Sequence, residues 1–144
     1  MKTSGISQRT RWMEKLSEYE QKYLSARDAY REASAPRSPA QDGMPHGNAK
    51  SDAVARAAER REKTFMQYRR AKDAYEIAKA KRILSMKPLS DAQTLVLAKI
   101  YLAGKSRRAV AHELNRSDFW VRAQERTGLF LLELPSGWEN DILP

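Results

Sequence analysis

The sequence predicts an all-α protein in which a long antiparallel helical hairpin is followed by a C-terminal helix-turn-helix. Three observations support this prediction. Apolar residues recur at spacings of three and four along much of the chain, as they do on the buried face of a helix. Serines stand just before the apolar runs of the C-terminal part, where they can cap helix N-termini. Three prolines and two glycines are concentrated in residues 34–52, between two long apolar stripes.

The first 35 residues are predicted to form one long helix. Its apolar stripe has spacings of four and three, as in the seam of a coiled coil. The stripe consists of Trp12, Leu16, Tyr19, Tyr23, Ala26, Tyr30 and Ala33. Because a helix of this polarity gains little stability alone in water, the stripe is expected to pack against another helix.

A second long helix is predicted from Asp52 to about Ser85, after a loop at residues 36–51. Its stripe is less regular and consists of Val54, Ala58, Phe65, Tyr68, Ala71, Tyr75 and Ala78. The connection is short enough for the two helices to fold back on each other within one chain. Pairing between two copies of the chain is equally compatible with the pattern. Residues 1–88 are therefore predicted as a basic helical hairpin domain.

Three shorter helices are predicted in the next domain, residues 89–134. The first runs from Asp91 to about Ala103 after an N-cap at Ser90, and Gly104 follows as a C-cap signal. Its apolar positions are Leu95, Val96, Ile100 and Tyr101.

The second and third short helices form the predicted helix-turn-helix. Ser106 caps the second helix, which ends near Leu114, and Ser117 caps the third. Asn115 and Arg116 occupy the turn. The inward-facing positions are Ala109, Val110 and Leu114 on the second helix and Val121, Gln124, Gly128, Leu129 and Leu132 on the third. Two short helices joined by a turn of three or four residues are typical of a DNA-binding helix-turn-helix.

The last segment, residues 135–144, loses helical periodicity at Pro135 and Gly137 and then mixes apolar with acidic side chains. One interpretation is a terminal strap that docks on the rest of the protein. The other is a disordered acidic and hydrophobic segment that recruits a partner protein.

Composition argues against several classes of protein. The chain has no cysteine, which excludes disulfides and thiolate metal sites, and its two histidines, His46 and His112, have no neighbouring ligand pattern. No catalytic arrangement of nucleophile, base or paired carboxylates is recognisable. We therefore expect no enzymatic activity, no metal and no cofactor. A signal-peptide core and a run of ~20 apolar residues are both missing, so we expect a soluble, cytoplasmic protein without membrane contact.

Positive charge is distributed unevenly. Residues 1–88 contain 20 Lys and Arg against 11 Asp and Glu, whereas residues 89–144 contain seven of each. Within the second half, residues 99–126 hold all seven basic side chains and only three acidic ones. This local excess is sufficient for modest attraction to phosphates. The excess on the hairpin has two interpretations, namely solvated helix faces or attraction to DNA flanks or an acidic protein.

The segment 106–125 resembles the helix-turn-helix of region 4 of bacterial sigma factors and aligns with it without a gap. The matching helix caps and core aliphatics are Ser106, Val110, Leu114, Ser117 and Val121. The preceding residues 95–106 are similar to the leucine-rich helix, glycine and Ser or Thr cap of that family. The sequence departs from the family at Phe119 and Trp120, where sigma factors have charged side chains.

A second resemblance covers nearly the whole chain. The string Gly43, Met44, Pro45, His46, Gly47, followed by Ser51-Asp52, resembles the signature loop of a phage-encoded family grouped with the RinA- and ArpU-type late-gene regulators. That family also has an N-terminal helical hairpin and a C-terminal sigma-like helix-turn-helix. The resemblance implies a phage or prophage transcriptional regulator in the bacterial cytoplasm. The loop itself is interpreted either as a structural clasp or as a contact with nucleic acid or polymerase.

These observations assign roles to residues of the helix-turn-helix. The third helix, Ser117 to Leu132, is expected to enter the major groove of double-stranded DNA. The residues expected to contact bases are Ser117, Asp118, Phe119, Arg122 and Arg126. The residues expected to bind phosphates are Lys105, Arg107, Arg108 and Arg116. Trp120 is expected either to pack against the long N-terminal helices or to contact DNA. A homodimer is expected, because one small DNA-binding unit rarely gives sufficient specificity.

Two other functions fit the sequence. The chief alternative is an interaction protein that docks on host RNA polymerase or another regulator and has little DNA affinity of its own, which the exposed aromatic positions favour. The third is a component of phage packaging or assembly, for which a ring-sized oligomer would be the discriminating observation.

Overall fold

The computed structural model describes residues 2–36 and 47–142, and every regular element within these ranges is a helix. The elements are α1 (Lys2–Ser34), α2 (Gly47–Ser85), α3 (Asp91–Leu97), a π-helical segment (Ala98–Leu102), α4 (Arg107–Leu114), α5 (Asp118–Leu131) and α6 (Glu139–Ile142). The prediction of an all-α protein is confirmed for this part of the chain. None of these helices combines the length and the apolar character that crossing a membrane requires. The chain divides into a larger compact unit, Met1–Tyr19 with Tyr75–Pro144, and a smaller one, Glu20–Ala74.

In the smaller unit, α1 and α2 pack through aromatic side chains. The ring centroids of Tyr23 and Tyr68 lie 5.8 Å apart, and Tyr30 contacts both Phe65 at 5.4 Å and Tyr68 at 5.8 Å. Offset and tilted ring pairs at such distances are favourable beyond the area they bury. The pairs run in opposite order along α1 and α2, as in an antiparallel helix pair.

The second helix departs from its predicted limits and stripe. It begins at Gly47 rather than Asp52, and Val54 is exposed although the pattern placed it on the buried stripe. The half-buried face of α2 runs from Tyr68 back through Thr64 to Ala57, at spacings of four and seven that keep these residues on one side of the helix. Val54 lies three residues before Ala57 on that same side and is exposed nonetheless, whereas Ala58 lies off that side.

The main core of the larger unit joins α1, the end of α2, α3 and α5. Its fully buried members are Trp12, Met13, Met86, Leu97, Leu129 and Leu132, and Ile6, Leu89, Tyr101, Leu102, Leu134 and Trp138 pack against them. At Gly128 an added Cβ would lie 3.0 Å from a methyl group of Leu97, so a larger residue there would require Leu97 to shift by a few tenths of an ångström. The backbone N–H of Glu133 donates to the carbonyl of Ser85 at 3.1 Å, which fixes the end of α5 against the end of α2.

Arg82 is fully buried in this unit, although the sequence places it in a run of solvated charges. Its Nε and Nη2 donate to the Trp12 carbonyl at 3.1 and 2.6 Å, and its Nη1 donates to the Ala78 carbonyl at 2.9 Å. The guanidinium carbon also lies 4.4 Å from the centre of the Trp12 ring, a cation–π contact. Burial lowers the pKa of Arg82, while the charge of Asp141 opposes this effect.

Residues 135–142 of the C-terminal segment dock on the larger unit. Asp141 accepts hydrogen bonds from the Trp12 indole Nε1 at 3.1 Å and from the Tyr19 hydroxyl at 3.3 Å. Leu134 and Trp138 cover the main core. Burial, with Asp141 as the next cause, raises the pKa of Tyr19. Of the two interpretations of the tail, the structure therefore shows the strap.

A second, smaller core lies between α3, the π-helical segment, α4 and α5. It consists of Val96, Val110, Ala111 and Val121, with Ile100, Leu114 and Trp120 packed against it. Two predicted core positions are wrong. Leu95 is exposed, whereas Leu97, two residues later, is buried. In the same way Ala109 is exposed and Ala111 is buried. In both cases the apolar residues can be assigned to either of two overlapping helix faces, and the face that is buried in the structure is not the one predicted.

We predict that Asp141→Ala destabilises the larger unit. The substitution leaves the partly buried Trp12 N–H without its acceptor, which costs about 2 kcal/mol. Urea unfolding monitored by tryptophan fluorescence would measure the loss. The matched control is Glu139→Ala, which removes an exposed carboxylate from the same helix and should change stability by less than about 0.5 kcal/mol. Equal effects of the two substitutions would contradict a stabilising role for the strap.

Candidate nucleic-acid interface

Local sequence sets the geometry of the α4–α5 pair. Ser106 Oγ accepts from the Ala109 N–H at 3.1 Å and Ser117 Oγ accepts from the Trp120 N–H at 3.1 Å, so each helix begins at a serine N-cap. Asn115 ends α4 in the left-handed conformation with φ 55°, which asparagine tolerates better than most residues. The three predicted serine caps are confirmed, since Ser90 also caps α3, in a capping box with Gln93.

The first turns of α5 present a mixed aromatic and basic surface. Phe119 is 83% exposed and belongs to neither apolar core. Arg122 follows one helical turn later, and Arg126 one turn after that, both exposed. Asp118 is also exposed, at the first position of the helix, where its charge complements the helix dipole. Ser117 differs from these four, because its hydroxyl oxygen is already used in capping.

Arg126 also borders a pocket of ≈ 270 Å³ between α5 and the start of α1. Ile6 and Thr10 of α1 and Leu129 of α5 provide much of the wall. Arg122 is not part of this pocket. The two arginines that the sequence groups together therefore have different surroundings.

The guanidinium group of Arg107, predicted to bind phosphate, is paired with a carboxylate within the protein. Its Nε and Nη2 donate to the two carboxylate oxygens of Glu125 at 2.6 and 2.8 Å, a bidentate ion pair. Glu125 is only 6% exposed, whereas the Arg107 side chain is 48% exposed. The hydrogen bonds to Glu125 raise the pKa of Arg107. Arg107 is therefore the partner of a buried carboxylate, and its predicted role as a phosphate ligand stays a prediction.

Lys105 is also paired within the protein. Its Nζ lies 2.6 Å from Glu113 Oε2, and the Lys99 Nζ lies 2.5 Å from Glu113 Oε1. Hydrogen bonds from Lys105 and Lys99 lower the pKa of Glu113 to about 2. The carboxylate therefore stays charged, and holds both ammonium groups, at any physiological pH.

The remaining basic side chains of the predicted interface are less engaged. Arg108 and Arg122 make no ion pair with other residues in ranges 2–36 and 47–142. Arg116 is exposed, and its guanidinium carbon lies 4.9 Å from the centre of the Trp120 ring. Trp120 itself covers the smaller core at Val110 and its neighbours. Trp120 is half-buried and packs on this smaller core, and the predicted contact of its ring with DNA stays a prediction.

Glu125 connects three helical segments, and sequence reasoning missed it. Besides its bond with Arg107 of α4, its Oε2 accepts from the hydroxyl of Tyr101 in the π-helical segment at 2.8 Å. Burial, followed by the hydrogen bond to Glu125, strongly raises the pKa of Tyr101. The available signal was a glutamate on the inward side of a helix, four residues after Val121 and four before Leu129.

Other predicted features do not contribute to this surface. Gly43, Met44, Pro45 and His46 of the signature loop lie outside the described residues, and Gly47 is the first residue of α2. Among the described side chains, no group of three or more His, Asp or Glu is arranged to hold a metal ion.

We predict that Glu125→Gln lowers the free energy of unfolding by about 2 kcal/mol, because the neutral amide cannot accept the bidentate bond while Arg107 is only half exposed. Denaturant titration followed by circular dichroism would measure it. Glu133→Gln makes the same change at an exposed position near the end of α5 and should cost less than about 0.5 kcal/mol. A Glu125→Gln protein as stable as Glu133→Gln would refute the structural role of the carboxylate.

We predict that the ionisation of Tyr101 makes the free energy of unfolding fall as the pH rises in the alkaline range. Its pKa is raised in the folded state above the ordinary value of 10.0, so the folded protein holds the phenolic proton more tightly than the unfolded chain. This contribution is complete below pH ~10 and is lost as the pH rises further towards the folded pKa. Unfolding free energies between pH 8 and pH 11 should fall more steeply for the wild type than for Tyr101→Phe. Parallel profiles would show that Tyr101 is not the responsible group.

No protein-family model matches the chain, and comparison with curated proteins and with solved structures gives no match. The function of this surface is therefore inferred from the chemistry of its own residues.

Proposed function

We propose that the protein is a phage or prophage transcriptional regulator that binds double-stranded DNA through α4, the turn at Asn115–Ser117 and α5. In this proposal α1 and α2 form a helical hairpin, and the C-terminal part is a sigma region 4-like helix-turn-helix. The observation that carries the proposal is the exposed face at the start of α5, where Phe119 and Arg122 follow a serine cap and neither is used in the core.

Helix α5 is suited to the role of the recognition helix. In helix-turn-helix proteins the N-terminal residues of the second helix contact base edges in the major groove. An arginine at such a position can donate two hydrogen bonds to guanine, and a phenylalanine can contact the methyl group of thymine. Arg122 and Phe119 are therefore the leading base contacts, with Asp118 and Arg126 at the margins. Ser117 is left with a capping role.

Phosphate binding rests on fewer residues than the sequence suggested. Arg108 is exposed in the first turn of α4 and Arg116 is exposed in the turn between α4 and α5, whereas Arg107 and Lys105 already hold carboxylates. Two free phosphate ligands give weak, salt-sensitive binding. Adequate affinity then requires a second copy of the chain, in keeping with the expected homodimer, or additional contacts from the basic residues of α1 and α2.

A second function is favoured by one specific observation. Phe119 is an isolated, highly exposed aromatic side chain, and such residues are enriched at protein interfaces. An interaction protein docking on host RNA polymerase would use the same face and would have little affinity for DNA alone.

Binding to a short random-sequence duplex at several salt concentrations separates the two functions. For a DNA-binding protein the affinity falls steeply with salt, and the double variant Arg122→Ala, Arg126→Ala weakens binding by about tenfold, since each arginine contributes on the order of 1 kcal/mol or less on nonspecific sequence. Fluorescence anisotropy of the labelled duplex provides the measurement. The control is Arg69→Ala, Arg70→Ala on α2, which removes the same charge from the smaller compact unit.

The outcomes are distinct. An equal loss in both double variants assigns the binding to net charge rather than to α5. No binding by the folded wild type at low salt would overturn the DNA-binding proposal and favour the polymerase-docking one, for which Phe119→Ala is then the decisive variant in a polymerase pull-down.

A further inference from the structure

An acidic side chain lies where the proposed function least favours it. In a docked helix-turn-helix the first helix crosses the sugar-phosphate backbone, so its exposed side chains face phosphates. Glu113 is exposed on the last turn of α4 and would repel them. The structure shows what the carboxylate does instead, because each of its two oxygens holds one lysine ammonium.

The two lysines approach Glu113 from different parts of the chain. Lys99 belongs to the π-helical segment, and Lys105 directly precedes Ser106, the N-cap of α4. Their Nζ atoms converge on one small anion at 2.5 and 2.6 Å. A phosphodiester has two terminal oxygens at a spacing close to that of a carboxylate, so the same pair of ammonium groups can hold a phosphate.

Exchange of one anion for the other is energetically accessible. The side chains of Lys105 and Glu113 are 41% and 39% exposed, and exposed ion pairs contribute little to stability. Lys99 is less exposed, at 21%, but it shares the same exposed carboxylate. A polyanion such as DNA competes for the lysines with a whole row of phosphates and gains from counterion release. A change of pH would not release the lysines in this way, because Glu113 remains ionised at physiological pH.

Resting on the proposed DNA-binding function, we propose that Glu113 is a stand-in for a DNA phosphate. It neutralises Lys99 and Lys105 in the free protein and keeps the affinity for nonspecific DNA low. A duplex placed in the docked register by Arg122 and Phe119 displaces the carboxylate and recovers both lysines as phosphate ligands.

The test compares Glu113→Gln with Glu133→Gln, which removes the same charge from an exposed glutamate that forms no ion pair with a lysine among the described side chains. Binding of a labelled random-sequence duplex is measured by anisotropy across a salt series, with thermal melts to confirm that each variant is folded. Glu113→Gln should bind about tenfold more tightly at low salt than Glu133→Gln, and the slope of log K against log salt should be steeper by up to about 1.8, or about 0.9 for each lysine freed. Replacing Lys99 and Lys105 by Gln in the Glu113→Gln protein should abolish the gain.

Three outcomes would overturn the proposal, and they have different meanings. Equal affinities of Glu113→Gln and Glu133→Gln, with DNA binding still dependent on Arg122, would overturn the role of Glu113 alone. A gain that persists without the two lysines would show that simple repulsion by Glu113 is responsible. Absence of binding by the wild type and by every variant would remove the DNA-binding function and, with it, the role of Glu113.

Discussion

The surface assigned to DNA binding depends on the hydrogen-bonded carboxylate of Glu125. This single side chain, on the inward face of α5, joins Arg107 at the start of α4 to Tyr101 in the preceding π-helical segment. A carboxylate that has lost most of its water must be compensated by partners of fixed geometry, and a bidentate arginine with a phenolic hydroxyl provides three short bonds. The angle between α4 and α5, and hence the direction in which Phe119 and Arg122 project, is set by polar contacts as well as by apolar packing.

Ion pairs within the protein explain why the number of basic residues in the sequence is a poor guide to this surface. Seven basic residues lie between Lys99 and Arg126, and the sequence gives no indication of which of them are used inside the protein. Lys99, Lys105 and Arg107 hold the carboxylates of Glu113 and Glu125. The exposed guanidinium groups that remain are those of Arg108, Arg116, Arg122 and Arg126. In the free protein, fewer basic side chains are therefore without a carboxylate partner than the composition suggests.

Features determined by neighbouring residues were the most predictable. The caps at Ser90, Ser106 and Ser117 follow from side-chain bonds to the next turn, and the helical class follows from apolar spacing. Features that depend on distant partners were not predictable. Glu125 and Arg107 are 18 residues apart, and Arg82 is stabilised by the carbonyl of Trp12, 70 residues away, so each has the appearance of an ordinary solvated charge in the sequence. Leu95 and Leu97 show a third case, in which local periodicity permits either face and only packing decides.

The π-helical segment has a consequence for how the larger unit unfolds. Along the end of α3 and the π-helical segment that continues it, Val96 and Ile100 belong to the smaller core, while Leu97, Tyr101 and Leu102 belong to the main core. Helix α5 is shared in the same way, through Val121 on one side and Leu129 on the other. If one core unfolds, the other loses the helices that contribute side chains to both. The two cores should therefore melt as one cooperative unit, so that the segment proposed to bind DNA has no separate stability and unfolds together with the helices packed against it.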